Sequence, residues 1–524
     1  MQFHRKYVRR PVLVLVLVLA WGLTVHNEAQ VFPEVQDAVF DSWRDTTGEH
    51  PADTLLRVGK SGVERATARV SFDLDNTVIF DNLECNFWDA ITRAEVVLDV
   101  VSATDCPGNG CLLRVTLPSS NQPLAPPLHI ANGTTGEVRF DVTADVRKRA
   151  TGDLLATYRI EALTAQGEVN FRSLEGSPEG TGSPRLDVTN PPIPDTTVVA
   201  RKSQQVFNAE ISYLEAGDPG SANQFLLIHG VPSYSLMYRN VIPKLAEVGH
   251  VVAFDWVGLG RSSQLSTTDF DYRFDTQAAY AAELVRLLGM TDGGRELIVV
   301  IHEVGGLGGF HYATTHQDDV AGIAFYETWL DVCPDAFVGS ATNPPPPAGQ
   351  GLCQKDTLVP FPLFPLWENV IYPSEAGTCA AFTPLLVDPG TIQSFTFRPL
   401  SSALVAEYLD PYTLTPDCSQ LGGLLHFPRN IPVPVAGEPA ASRQLYDGYI
   451  AALKTWDVPK LLLVGDPGGG FNLSNPAQID YAREQYPNLE AACIGRAGHF
   501  GPEDVPFNLG KVLLEWASAE GLLE

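Results

Sequence analysis

Ile298-Val-Val-Ile-His-Glu-Val-Gly-Gly-Leu-Gly-Gly309 is the stretch on which the fold of most of this chain turns. Four β-favouring apolar residues run straight into His302-Glu303-Val304-Gly305-Gly306. This pattern predicts a buried strand, a sharp turn, and a helix packed so closely that it needs glycines. Such a turn is a nucleophile elbow: its central residue stands out at the strand end, and its neighbours stay small to permit a strained backbone. The central residue here is Glu303, where the usual occupants are Ser, Cys or Asp. A plain strand-glycine-helix junction with a surface glutamate has the same local pattern, so the decision rests on the flanking segments.

Upstream, Phe225-Leu-Leu-Ile-His-Gly230 is an apolar strand that ends in a loop. Val251-Val-Ala-Phe-Asp-Trp-Val-Gly-Leu-Gly-Arg-Ser262 is a second strand with a glycine-rich exit, and residues 278–288 have helical periodicity. Downstream come Val320-Ala-Gly-Ile-Ala-Phe-Tyr-Glu327, Pro459-Lys-Leu-Leu-Leu-Val-Gly465, and Gly498-His-Phe-Gly-Pro-Glu-Asp504 after one more strand. Strands and helices alternating at these lengths predict a mostly parallel sheet with helices on both faces.

From about residue 200 to the C-terminus these segments resemble the α/β-hydrolase fold and, within it, the haloalkane dehalogenase family. The His-Gly-x-Pro loop, the Asp255 to Ser262 turn, the elbow and the Gly-His-Phe-x-x-Glu-Asp-x-Pro ending carry the resemblance, together with Phe427-Pro-Arg-Asn-Ile-Pro432 and Ala436-Gly-Glu-Pro-Ala440. It implies an α/β class protein with a helical lid inserted after the sixth strand. Strand-helix alternation stops between Glu327 and about Ala452, which fits such an insertion. Lids exclude water and shape the pocket, so substrate choice is expected there.

The chemistry needs a nucleophile, a base and a group that orients the base. The resemblance places Glu303 at the nucleophile, His499 at the base and Glu327 at the acid; Asp466 is the rival acid, and it falls early in its loop. Backbone N–H groups of Val231 and Val304 form the implied oxyanion hole. Two departures matter. Glu303 is one methylene longer than the family's Asp, a displacement of about 1 Å, and such a misplacement costs on the order of a hundredfold in rate. Val304 and Val231 stand where the family holds halide with an indole and an Asn side chain. Trp256, Trp329 and Trp367 are the candidate pocket residues that carry an indole N–H, and spacing does not choose among them. The expectation is a hydrolase acting on a small apolar molecule, without cofactor or metal. The alternatives are an epoxide or ester hydrolase, with Tyr372 and Tyr408 as available acids, and a silent binding protein.

The remaining sequence predicts four further features. A formal net charge of -27 excludes affinity for nucleic-acid phosphates. Residues 1–30, with a basic start from His4 to Arg10 and an apolar run from Val12 to Leu23, read as an export signal, too short to span a bilayer comfortably. The expected location is therefore secreted or cell-envelope, and the protein is not integral to the membrane. Eight cysteines fit an exported chain. Cys106 and Cys111 can close a tight loop, Cys333, Cys353, Cys379 and Cys418 can form two bridges in the insertion, and Cys85 and Cys493 read as buried thiols.

Residues 31–190 show short alternating runs, such as Ala66 to Asp73 and Glu137 to Thr143, separated by turn clusters. They predict an all-β sandwich domain. Through Leu56-Arg-Val-Gly59, Ala66 to Leu74, Phe140-Asp-Val-Thr143, Val169 to Glu175 and Pro184 to Val188, this region resembles the DNRLRE-type modules related to carbohydrate-binding modules, which implies a polysaccharide or wall partner. The expected order is signal 1–30, β-sandwich 31–190, hydrolase core 191–330, lid 331–452 and hydrolase core 453–524.

Overall fold

A computed structural model describes residues 35–37, 40–44, 49–50, 55–61, 64–73, 91–148, 155–173, 183–189, 192–196, 198–328, 330, 366–433, 435–468 and 476–524. The expected export signal, Cys85, Cys333, Cys353, Trp329 and the run from Phe361 to Pro365 lie outside these residues. The described residues form two compact units that divide between Pro192 and Ile193.

The N-terminal unit is a large β region, and its described strands pair antiparallel, for example Arg93–Thr104 with Gly136–Asp141 and Leu155–Ala162 with Glu64–Asp73. Alternation sorts the side chains: Cys111, Leu113 and Val115 turn inward while Leu112 and Arg114 are half-buried. Inward residues such as Val58, Val70, Phe72, Leu98, Tyr158 and Phe171 share one buried core. Outward positions carry charge, where Arg139 bridges Glu95, Glu137 and Asp187. Cys106 and Cys111 are disulfide-bonded, closing the short loop.

The C-terminal unit is built on an eight-stranded sheet: β1 (Ala200–Val206), β2 (Ala209–Ala216), β3 (Gln224–Ile228), β4 (His250–Phe254), β5 (Leu297–His302), β6 (Val320–Tyr326), β7 (Lys460–Pro467) and β8 (Leu489–Ala497). Their spatial order is β1-β2-β4-β3-β5-β6-β7-β8. Pairings from β4 through β8 are parallel, and β1 and β2 join antiparallel at one edge. All six residues of β5 are buried, as expected of a strand covered on both faces. Helix α1 (Phe274–Leu287) and helix α2 (Gly305–Thr315) pack together, and Phe310 of α2 meets Phe325 of β6 with ring centroids 5.6 Å apart. Gly322, three residues before Phe325, faces the other way, and a Cβ there would come within 2.8 Å of Trp516. Trp516 belongs to the C-terminal helix Pro506–Ala519, so helices cover both faces.

Between β6 and β7 the described chain carries a series of short helices and loops from Trp367 to Leu453, including α3 (Pro389–Ser394), α4 (Ser402–Leu409) and α5 (Ala440–Leu453). Cys379 and Cys418 are disulfide-bonded within this insertion, across a sequence separation of 39. Cys493 is disulfide-bonded as well, which corrects its reading as a buried thiol; a buried strand position hides a bonded sulfur as readily as a free one. Closing the loop between Cys379 and Cys418 restricts the unfolded chain by about 4 kcal/mol. A Cys379→Ser/Cys418→Ser double variant is expected to lose up to that much stability, measured by urea denaturation against the parent.

Candidate active site

Four strand ends converge at the carboxyl edge of the parallel sheet. Ile228 of β3 pairs with Ile301 of β5, and His302 of β5 pairs with Tyr326 of β6. The residues that follow each strand therefore share one edge, which is where open α/β sheets place their sites. After β5 the elbow forms as read: Glu303 sits at φ 51°, in the left-handed region, and helix α2 starts two residues later. Its backbone is fixed on both sides. Glu303 N–H donates to the Tyr326 carbonyl at 3.3 Å, and the Glu303 carbonyl accepts from Gly306 N–H at 2.9 Å and Thr328 Oγ1 at 2.8 Å. Glycine is required around it, since a Cβ on Gly305 would lie 2.1 Å from the His229 carbonyl oxygen and one on Gly230 would lie 2.5 Å from the Glu303 Cβ.

The Glu303 side chain turns inward, only 7% exposed. Its Oε2 accepts from Val231 N–H at 2.8 Å, and the Val304 N–H acts electrostatically on the same carboxyl group. Of the backbone pair expected to form the oxyanion hole, Val231 N–H thus holds the glutamate's own carboxyl group. Burial pushes the Glu303 pKa up to about 8, opposed by the Val231 and Val304 N–H groups and reinforced by the charge of Glu327. Glu327, directly after β6, also has a left-handed backbone at φ 47°. Its Oε2 lies 3.3 Å from His499 Nδ1, with both side chains 2% exposed. Burial pushes the His499 pKa down to about 3, because desolvation disfavours the imidazolium, and the ring is neutral at neutral pH.

His302 adds a tie that the strand pattern did not predict. Its Nε2 lies 2.8 Å from the His499 carbonyl, and since a carbonyl only accepts, that nitrogen carries the proton. The elbow and the histidine loop are thereby linked through backbone as well as through the side chains.

Two of the three candidate tryptophans have their indole N–H groups committed within the fold, and Trp329 lies outside the described residues. Trp256 is 1% exposed, and its indole N–H donates to the His229 carbonyl at 3.1 Å. The Trp367 indole N–H donates to the Pro428 carbonyl at 2.9 Å. Each indole satisfies a buried carbonyl, so neither donor is available to a leaving group. The tyrosine hydroxyls are committed in the same way: Tyr372 donates to the Ile431 carbonyl and Tyr408 to Glu503. Asp466 falls inside β7, within the strand and before any loop.

Glu303 and His499 titrate with opposite consequences for stability. Below about pH 8 folded Glu303 keeps a proton that an unfolded glutamate releases near 4.5, so its contribution falls as pH rises through that window. Folded His499 has lost, above about pH 3, a proton that an unfolded histidine holds up to 6.5, so its contribution rises with pH up to there. The expected result is a declining melting temperature between pH 7 and about 8, absent in Glu303→Gln, read by calorimetry across that range.

An acidic residue on a strained turn after β5, another after β6 and a histidine after β8 define a class of protein. The C-terminal part has the α/β hydrolase fold, and the family model described as alpha/beta hydrolase fold matches residues 223–349. Its homologues include haloalkane dehalogenases. A haloalkane dehalogenase from Sphingobium indicum is 27% identical over 322 residues, covering 60% of this chain and 93% of that protein. One from Agrobacterium fabrum is 27% identical over 303 residues, covering 57% of this chain and 86% of that protein. The crystal structure of the haloalkane dehalogenase DbeA-M1 loop variant from Bradyrhizobium elkanii matches with a TM-score of 0.50 at 25% identity, covering 62% of this chain and 98% of that one.

Proposed function

We propose that the C-terminal unit is a hydrolase that cleaves a small apolar substrate through a covalent ester on Glu303. One observation carries this reading: the Glu303 carboxyl group is buried and gripped by Val231 N–H at 2.8 Å, beside a His499-Glu327 pair. The free oxygen of ionised Glu303 attacks the substrate carbon, and the bond to the leaving group breaks with its electron pair. His499, oriented through Nδ1 by Glu327, takes a proton from water at Nε2. The hydroxide attacks the ester carbonyl, whose developing oxyanion is held by the Val231 and Val304 N–H groups. The acyl–oxygen bond then breaks, the alcohol leaves with the proton from His499, and Glu303, left as the acid, returns to the carboxylate by releasing its proton to solvent.

The leaving group receives little help. Positions 231 and 304 are valines, and the Trp256 and Trp367 N–H groups are used elsewhere. Slow release of halide is therefore part of the proposal. The epoxide alternative is not favoured, because the Tyr372 and Tyr408 hydroxyl protons already have acceptors. The helices between β6 and β7 serve as the lid. Export is inferred from the basic and apolar start of the chain together with its disulfides, which persist in oxidising compartments. No helix among the described residues is long and apolar enough to cross a membrane. Nothing in the described N-terminal unit supports a polysaccharide partner.

The test is intact-mass spectrometry after incubation with 1-bromohexane. In His499→Ala the water step is lost, so a hexyl adduct on the Glu303 peptide is expected to accumulate towards one per chain. An unmodified mass in His499→Ala across alkyl halides, epoxides and esters would leave only a binding protein.

A further inference from the structure

The Asp504 carboxylate lies on the short helix Gly501–Asp504 that follows His499, and it is 8% exposed. Three backbone N–H groups point at it. Gly498 donates to Oδ2 at 2.8 Å, and Phe397 and Arg398 donate to Oδ1 at 2.9 Å each. Gly498 immediately precedes His499, whereas Phe397 and Arg398 lie in the inserted helical region, between α3 and α4. One carboxylate therefore fastens the histidine loop to the insertion more than 100 residues earlier in the chain.

Neighbouring contacts run along the same seam. Phe500 N–H donates to the Phe395 carbonyl at 2.8 Å, and the Phe395 ring lies 5.1 Å from the His499 ring. Arg398 donates from Nε to the Glu503 carbonyl at 2.6 Å. A Cβ on Gly498 would approach the Phe395 carbonyl oxygen to 2.8 Å, so the two segments touch backbone to backbone. Burial pushes the Asp504 pKa up to about 7, against the three N–H donors, which favour the ionised form.

We propose that Asp504 is a positioning residue: its carboxylate sets His499 for the water step by clamping Gly498 to the Phe397-Arg398 segment. It touches neither substrate nor Glu303. The role rests on the covalent mechanism above, and it makes a distinction that a general loss of stability would not. Formation of the Glu303 ester needs no histidine, whereas its hydrolysis does. Loosening the clamp therefore slows the second step selectively, and the ester builds up.

An asparagine at 504 has only one accepting oxygen, and its NH2 group must face one of the donors. Either the Gly498 link or both links to the insertion are broken. A shift of His499 of about 1 Å costs on the order of a hundredfold in that step. With 1-bromohexane as probe, the fraction of chain carrying the hexyl ester at steady state is expected to rank His499→Ala, then Asp504→Asn, then Asp504→Glu, then the unaltered protein. Asp504→Glu keeps a full carboxylate and restores part of the hydrolysis. Hydrogen exchange measures the clamp itself: peptides covering 397–398 and 498–500 are expected to lose protection together in the folded Asp504 variants.

Ester occupancy in Asp504→Asn equal to that of the unaltered protein would overturn the proposal. If Asp504→Asn does not fold, Asp504→Glu carries the same criterion. Loss of protection in only one of the two peptides overturns it as well. If His499→Ala forms no ester, the covalent mechanism fails, and with it the positioning role of Asp504; the exchange result then reports only whether the clamp exists.

Discussion

Glu303→Gln removes turnover and all adduct formation, a loss expected to exceed about a thousandfold, while the melting temperature holds or rises. The amide is nearly isosteric with the carboxyl group. Its oxygen can still accept from Val231 N–H, so the elbow keeps its contact with the His229-Gly230-Val231 loop. What disappears is the nucleophile. What also disappears is the demand to hold a carboxylate in a buried site that raises its pKa to about 8. Above that pH the native protein keeps a buried charge that the variant lacks, so the variant is the more stable of the two. Loss of activity with a gain in stability distinguishes a residue retained for chemistry from one retained for packing. Mass spectrometry with 1-bromohexane and a thermal melt at two pH values check both halves. An adduct forming elsewhere in Glu303→Gln would show that another residue is alkylated.

Glu503→Gln is expected to destabilise the C-terminal unit by about 3–5 kcal/mol, because it leaves a buried arginine without its counter-charge. The Arg239 and Glu503 side chains are fully buried. Two guanidinium nitrogens of Arg239 face the two carboxylate oxygens, with Nη2 to Oε2 at 2.9 Å. Arg398 adds a contact at 2.5 Å, and the Tyr408 hydroxyl donates to the other oxygen. Arg239 is further held by the Asp195 carbonyl at 3.2 Å, at the start of the unit. One carboxylate thus gathers Arg239, the inserted helices and the histidine loop. Replacing Arg239 and Glu503 together by apolar residues of similar volume is expected to cost less than Glu503→Gln alone, since no charge is then left buried and unpaired. Urea denaturation of both variants tests this. A Glu503→Gln loss below about 1 kcal/mol would place the pair among the weak surface type.

Much of the frame was legible because it depends on short-range physics. Ile298 to Ile301 is an unbroken apolar run, and the glycines at 305, 306, 308 and 309 allow only a close helix behind a tight turn. Glu303, Glu327 and His499 each follow a recognisable strand, so the parallel order of the sheet brought them to one edge. The resemblance supplied which acid to prefer, and Asp466 lies within β7. The tryptophans were not legible, because an indole N–H is donated to whichever carbonyl packing leaves unsatisfied. Trp256 reaches His229, 27 residues away, and Trp367 reaches Pro428, 61 residues away. Glu503 and Asp504 stood in plain view beside His499, but nothing local distinguishes adjacent acids on a surface turn from adjacent acids at the centre of a network.

The chain alone determined a parallel sheet, a strained glutamate on its elbow and a histidine near its end, since periodicity and backbone sterics act over a few residues. Tertiary structure decided where each polar group finds its partner: the Glu303 carboxyl in the Val231 N–H, Glu503 against Arg239 from 264 residues away, and the indoles turned to carbonyls. Burial makes every unpaired donor or acceptor costly, so these choices depend on which distant surfaces the packed core brings together.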